Sequence, residues 1–315
     1  MTTRCRGIVL KALVLLACLP AAGRAQSLPA LNLGLTSFLD GGAPAGPGFY
    51  FQEYVQFWTA DDLKDQEGDS TPYLNNLNVW ASVNQLIYQS PFTLPTGGKF
   101  GLDVILPVIY IDVNPGNPPV LAGSHGGLGD ILVGPFIQWD PIMGKNGPIF
   151  MHRIELQNLV PIGEYDVNKV LNPGSNFYSF NPYWAGTLFL LPQWEASWRL
   201  HYLWNDKNPQ PNKTLFPTAD DTRAGQAIHL NFASSYQLLP GFRAGLNGYY
   251  LKQFTNAEVD GNGVPSSREQ VLGLGPGALY SFSPHDHLFF NAYFEMAAEN
   301  RPEGMRFGAR WTHHF

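Results

Sequence analysis

The chain has 315 residues, of which 14% are charged and 14% aromatic, with 21 Phe, 14 Tyr and 8 Trp. Soluble domains carry roughly 25% charged residues, so this balance argues against an ordinary water-soluble enzyme. The formal net charge of −6 argues against nucleic-acid binding, which needs a basic stripe.

The first element is an export signal. Arg4, Arg6 and Lys11 form a positive start, Ala12 to Leu19 is a short apolar run, and Gly23-Arg24-Ala25 suits a signal peptidase. The apolar run is too short to span a membrane as a helix. Leu15-Leu16-Ala17-Cys18 also resembles a lipobox, which would leave Cys18 lipidated. Both cysteines, Cys5 and Cys18, lie in this stretch, so cleavage after Ala25 leaves neither a disulfide framework nor a cysteine metal site. Cleavage also removes four basic residues and no acids. Fifteen Lys+Arg then face 25 Asp+Glu, a net charge of about −10.

Residues 26–46 are apolar and rich in Gly and Pro, with Leu28, Leu31, Leu33, Leu35, Phe38 and Leu39. They read either as a periplasmic tail or as a plug folded into a lumen. Beyond the signal no run of eighteen apolar residues occurs, so no transmembrane helix is expected. From residue 47 onward helix signals give way to short runs of aromatic and β-branched residues punctuated by Gly and Pro. About twelve strands are expected, near 47–59, 74–89, 99–112, 128–140, 149–162, 179–191, 193–205, 226–238, 241–254, 269–282, 287–298 and 304–315.

The connections alternate in length. Asp61–Tyr73, Asp112–Gly127, Gly163–Tyr178, Asp206–Gly225 and Asn256–Arg268 are long and polar. Leu191-Pro192-Gln193, Leu239-Pro240-Gly241 and Ser283–Asp286 are short. Long loops at one end, with short turns and both termini at the other, mark barrels with periplasmic turns and extracellular loops. The expected fold is therefore all-β: a closed transmembrane antiparallel β-barrel of about twelve strands over 47–315.

Segment 194–204 shows the period best. Trp194, Ala196, Trp198, Leu200, Tyr202 and Trp204 share one face, while Glu195, Ser197, Arg199 and His201 share the other, with Leu203 the exception. Ten tilted rises span about 25 Å, the height of an outer-membrane apolar band. The last strand repeats the pattern. Phe307, Ala309, Trp311, His313 and Phe315 alternate with Arg306, Gly308, Arg310, Thr312 and His314. Phe307, Trp311 and Phe315 resemble the recognition signal read by the outer-membrane assembly machinery, which His313 fits least well.

Charges are costly against lipid, about 2–4 kcal/mol for Arg at mid-depth. Glu195, Arg199, His201, Arg243, Arg306 and Arg310 are therefore expected to line the lumen, as a paired interior network, a solute-contacting constriction, or both.

Other constellations carry less. His313 and His314 point to opposite faces and cannot readily share an ion, and His285-Asp286-His287 reads as a solvated turn. Asp61, Asp62, Asp65, Glu67 and Asp69 fail the EF-hand spacing. Gly127-Leu128-Gly129-Asp130 lacks a third glycine and a helix, so it is no dinucleotide site. Ser90-Pro91-Phe92 faintly resembles the serine segment of an outer-membrane phospholipase, but has no evident His and Asn or Asp partners. Neither a catalytic residue, a metal nor a cofactor is expected.

Two stretches carry a resemblance, Gly42-Ala43-Pro44-Ala45-Gly46-Pro47-Gly48-Phe49-Tyr50-Phe51-Gln52-Glu53-Tyr54 and Gly127-Leu128-Gly129-Asp130-Ile131-Leu132-Val133-Gly134-Pro135-Phe136. They resemble the exported outer-membrane family named for the meta-pathway of phenol degradation. The resemblance covers nearly the whole mature chain. It implies uptake of aromatic or other hydrophobic compounds, and no catalytic residues.

The expectation is an outer-membrane channel for passive uptake of small hydrophobic, aromatic among them, compounds. The alternative is a non-transporting structural or surface-interaction barrel with a filled lumen, and behind it an outer-membrane lipid hydrolase. The expected partners are outer-membrane lipid, lipopolysaccharide, the barrel-assembly machinery and the solute, with no nucleic acid.

Overall fold

A computed structural model describes residues 25–43, 45–119 and 121–315. Residues 1–24, which hold the expected signal peptide apart from Ala25 and include Cys18, lie outside the described residues.

Twelve strands follow one another: β1 (Gly48–Lys64), β2 (Leu74–Thr93), β3 (Gly98–Pro115), β4 (Gly123–Leu128 and Ile131–Trp139), β5 (Gly147–Glu155 and Asn158–Val160), β6 (Ser179–Phe180 and Tyr183–Leu191), β7 (Trp194–Asn205), β8 (Ala227–Leu239), β9 (Phe242–Gln253), β10 (Gln270–Ser281), β11 (Asp286–Glu299) and β12 (Pro302–His314). Each pairs antiparallel with its sequence neighbours. The ladder of β1 with β12, from Tyr50↔His314 to Leu63↔Pro302, closes the ring. Closure leaves no edge of unpaired backbone groups, which a hydrocarbon solvent would penalise.

The side-chain pattern is inverted relative to a soluble protein. Along β7 the polar residues Glu195, Ser197, Arg199 and His201 are buried, while Trp194, Leu200 and Tyr202 are exposed. The twofold strand period sets this, with one face to the lumen and the other outward. Aromatic residues crowd the outer face towards both ends. Trp194, Tyr236, Tyr280 and Trp311 lie towards the short turns, with Tyr202, Tyr250 and Phe254 opposite.

Three interruptions lie side by side, at Gly129-Asp130 in β4, Leu156-Gln157 in β5 and Asn181-Pro182 in β6. Prolines account for part of this. Pro135 and Pro182 have no N–H for the ladder, and the ladder is bridged irregularly by Leu156 N to Pro135 O and Asn181 N to Gln157 O.

Several strands run past their expected bounds, β2 among them, which reaches Thr93 instead of residue 89. β1 runs to Lys64, so Asp61 and Asp62 belong to the strand rather than the loop, and β3 and β4 shorten the connection between them to residues 116–122. The connection from β11 to β12 is the tight turn Asn300-Arg301, although it lies at the long-loop end. Two of the long loops meet in a small sheet of Lys207–Asn208, Thr222–Arg223, Glu258–Val259 and Asn262–Gly263.

Residues 25–43 lie inside the ring. Leu33, with Leu28 and Leu31, joins an inward cluster that contains Leu203, Leu251, Tyr249 and Tyr293. Leu35 packs on the cluster of Tyr54, Val83 and Leu132, and Phe38 on Leu279 and Phe289. Leu203, the break in the β7 alternation, is thereby explained, since it receives part of this segment. Gln26 lies beside Asn208 and Thr222 in the long-loop sheet, whereas Gly48 opens β1 at the short-turn end. The segment therefore runs the length of the lumen, from the long-loop end downwards.

Candidate functional site

The inward faces of the strands and the segment between Gln26 and Ala43 build the lumen together. At its upper end Thr222 Oγ1 donates to Gln26 Oε1 at 2.7 Å, and Leu28 N to Glu269 at 3.3 Å. Burial pushes the Glu269 carboxyl up from its ordinary range, against the opposing pull of Arg301. Lower down, Gly34 N donates to Asn231 Oδ1 at 2.8 Å, Asn231 Nδ2 to Asn32 O at 3.0 Å and Tyr293 Oη to Gly34 O at 3.0 Å. Gly41 N donates to Thr187 Oγ1 at 2.9 Å, and Gln138 Nε2 to Gly41 O at 3.0 Å. Backbone groups buried away from water need such partners, and here the barrel wall supplies them.

The structure places all six expected lumen residues in the buried interior, and they form separate groups. Arg199 donates to both carboxylate oxygens of Asp40, at 2.8 and 2.7 Å, and lies 4.3 Å from the Tyr183 ring centroid. His201 stacks on His229 with centroids 4.0 Å apart and faces Asn32. Glu195 accepts from Ser197 and Ser235, and Arg243 donates to the same Ser235 Oγ at 3.0 Å, so a hydroxyl joins acid to base. Arg306 donates to Gln56 Oε1 at 3.2 Å and pairs with Glu295 at 3.5 Å. Arg310 lies over Phe289, 3.6 Å from its centroid.

Sequence reasoning missed several partners. Arg153, Glu155 and Gln157 fall on the polar side of β5, with Ile154 and Leu156 opposite. The alternation that identified Glu195 would have found them. Glu155 accepts from Tyr183 Oη and pairs with Arg153 at 3.8 Å. Glu295 is visible by the same rule, alternating with Phe294 and Met296. Asp40 has no such signal, because it stands in a non-periodic segment. Below Asp40 a cavity of about 330 Å³ remains near the short-turn end, bounded by Phe38, Arg199, Phe289 and Arg310 among others.

The outer residues of the last strand are placed as expected in orientation. Phe307, Trp311 and Phe315 are exposed. His313 sits on the same face at the rim, where its Nδ1 lies 2.8 Å from Asp286 Oδ1. A histidine paired with a carboxylate where the wall meets water costs far less than one in the apolar belt.

The other sequence candidates hold no chemistry in common. His285 and His314 have ring nitrogens 3.0 Å apart, and among the described residues no group of three or more His, Cys, Asp or Glu is arranged to hold a metal ion. Ser90 Oγ accepts from Phe92 N at 3.1 Å. Asp65 accepts from the backbone of Glu67 and Asp69, and Asp62 pairs with Lys64.

A closed twelve-stranded barrel with an apolar outer belt, aromatic rims and a polar lumen is an outer-membrane β-barrel. This chain belongs to the family described as MetA-pathway of phenol degradation, whose model matches residues 60–311. The stretch Gly127–Phe136 lies inside the match, and Gly42–Tyr54 precedes it. The fold is similar to that of an outer membrane channel from Pseudomonas putida F1, with a TM-score of 0.77 at 17% identity, covering 89% of this chain and 100% of that one. It is also similar to the β domain of the Bordetella autotransporter BrkA, with a TM-score of 0.50 at 14% identity, covering 86% and 100%. Neither is described as an enzyme. No curated protein matches the chain.

Proposed function

We propose that this protein is an outer-membrane channel that admits small hydrophobic compounds, aromatic ones among them, by passive diffusion. The observation that carries the reading is the way the lumen is filled. Its occupant is a separate segment, residues 25–43, which forms no strand ladder with the wall and is held by side-chain hydrogen bonds, one ion pair and the packing of Leu33, Leu35 and Phe38. A segment held in that way is able to move aside. Family membership and the similarity in fold to a described channel support the same reading. The segment acts as the plug, and Arg199, Arg243, Arg306, Arg310, Glu195 and His201 line the path it vacates. The barrel-assembly machinery reads Phe307, Trp311 and Phe315, and lipopolysaccharide surrounds the acidic long loops.

The tight packing of Phe38, only 1% exposed, and of Leu33 favours the second reading, a barrel with a permanently filled lumen. Proteoliposomes separate the two. Toluene and phenol should enter vesicles containing the protein faster than empty vesicles. Equal rates, with the barrel correctly inserted, would leave only the structural reading.

A further inference from the structure

The cavity near the short-turn end has a chemistry of its own. Gln237, Ser281, His287 and Thr312, beside the short turns, are among its lining, which sets it at the periplasmic end. At about 330 Å³ it stands at the small end of ligand pockets, which run about 300–1,000 Å³. Phe38, Phe189, Leu279, Ile87 and Tyr54 supply apolar and aromatic walls suited to a single ring.

Four arginines also line it, Arg153, Arg199, Arg243 and Arg310, against one carboxylate, Asp40. Asp40 is already taken up by Arg199 through both its oxygens. The acids nearest Arg153 and Arg243, Glu155 and Glu195, are fully buried in the wall and do not line the cavity. Arg153 and Arg199 pair with Glu155 and Asp40, and Arg243, which has no ion pair among the described residues, donates to Ser235 Oγ and Gln193 O. Arg310 differs from these. It is only 6% exposed, forms no ion pair among the described residues, and its Nε has no hydrogen-bond partner. Its guanidinium carbon lies 3.6 Å from the Phe289 ring centroid, with the Tyr54 hydroxyl as its polar neighbour. A buried charge without a counter-ion is expensive, and a guanidinium fork matches a carboxylate with two parallel hydrogen bonds. Neutral rings such as toluene or phenol would leave that charge unmatched.

We propose that this vestibule binds a monocyclic aromatic carboxylate, with its carboxylate on Arg310 and its ring between Phe38, Phe189 and Leu279. The inference rests on the lumen being a solute path and names the solute class that its lower half holds. The acidic long loops lie at the opposite end, so their repulsion does not act on the vestibule.

The test is a ligand-observed fluorine NMR titration of the full barrel in detergent, using 4-fluorobenzoate, 4-fluorotoluene and fluoroacetate. Fluorobenzoate should bind about tenfold or more tighter than either of the others, the difference expected of a charge-assisted hydrogen bond added to an apolar contact. Arg310→Met should remove that advantage, and Arg310→Lys should keep part of it. Heat-modifiable gel migration shows whether each variant is folded. A competition on the wild-type barrel serves if Arg310→Met does not fold. Unlabelled benzoate should displace the probe at least about tenfold better than methyl benzoate, which has the same ring and no charge. Equal competition by the ester, equal binding of fluoroacetate, or an unchanged affinity in folded Arg310→Met would overturn the site. Toluene flux in proteoliposomes is read separately, so loss of the site with flux intact leaves the channel standing, and the reverse result removes only transport.

Discussion

Asp40 and Arg199 are 159 residues apart and meet in a two-pronged ion pair, with nitrogen–oxygen distances of 2.8 and 2.7 Å. Both side chains are buried. The pair ties the lumen segment to β7 at the point where the filled part of the lumen gives way to the cavity. Removing one partner of a buried pair leaves an uncompensated charge and costs about 3–5 kcal/mol. Asp40→Asn should therefore loosen the segment while the hydrogen-bonded wall persists. Planar-bilayer recording should show more frequent openings than the wild type, and deletion of residues 26–43 should show larger ones. Indistinguishable traces from all three proteins would mean that the segment does not control the lumen.

Gly41 offers a steric counterpart. A Cβ there would meet Thr187 N at 2.3 Å and Met151 O at 2.4 Å, both backbone atoms of the wall. Neither yields as a flexible side chain would. Gly41→Val should expel the lower part of the segment without unfolding the barrel. Limited proteolysis should then cleave the N-terminal region at protease levels that leave the wild type intact. A wild-type cleavage pattern in a folded Gly41→Val barrel would contradict the docking.

Leu203 and Leu200 test the inside-out arrangement on one strand. Leu203 is 0% exposed, packed against the lumen segment, while Leu200 is 41% exposed on the outer face. Leu203→Ala should cost about 2–5 kcal/mol, the usual penalty for a cavity in a packed cluster. Leu200→Ala should cost clearly less, because lipid or detergent fills the gap. Leu200→Arg should cost about 2–4 kcal/mol. Denaturant titration in detergent measures all three, and a Leu200→Ala cost equal to that of Leu203→Ala would place the faces wrongly.

Phe315 separates assembly from stability. The residue is 72% exposed, and its backbone N–H donates to Phe49 O at 3.0 Å. Phe315→Ala keeps that hydrogen bond and removes only an exposed ring. Surface changes of this kind usually stay within about 0.5 kcal/mol, so refolded protein should match the wild type in denaturant midpoint. In cells, the amount reaching the outer membrane should fall severalfold. A normal cellular level would remove Phe315 from the assembly signal.

Much of the architecture was legible in the chain. The alternation of Trp194 to Trp204 identified β7, and its polar face is the buried one, because a strand has only two faces and lipid tolerates only one of them. The long and short connections set the orientation, although the tight Asn300-Arg301 turn shows that length is not uniform at the outer end. The same alternation rule, applied to β5 and β11, would have added Arg153, Glu155 and Glu295. His313 looked misplaced because sequence distance from the terminus does not reveal that Asp286 waits 2.8 Å away at the rim.

The sequence by itself determined a closed barrel, since the period of two is local and each residue carries its own preference for lipid or lumen. Only the tertiary structure decided what fills that barrel and which charges are satisfied. Residues 25–43 have no periodicity to read. Their path depends on wall clusters assembled from β1 to β5 and from β7 to β11, which come together only when the ring closes. Arg199 and Arg310 look alike in sequence, each an inward arginine on an amphipathic strand. Closure places Asp40 against one of them and an aromatic ring against the other, and that difference makes Arg310 the charge in the vestibule still open to a ligand.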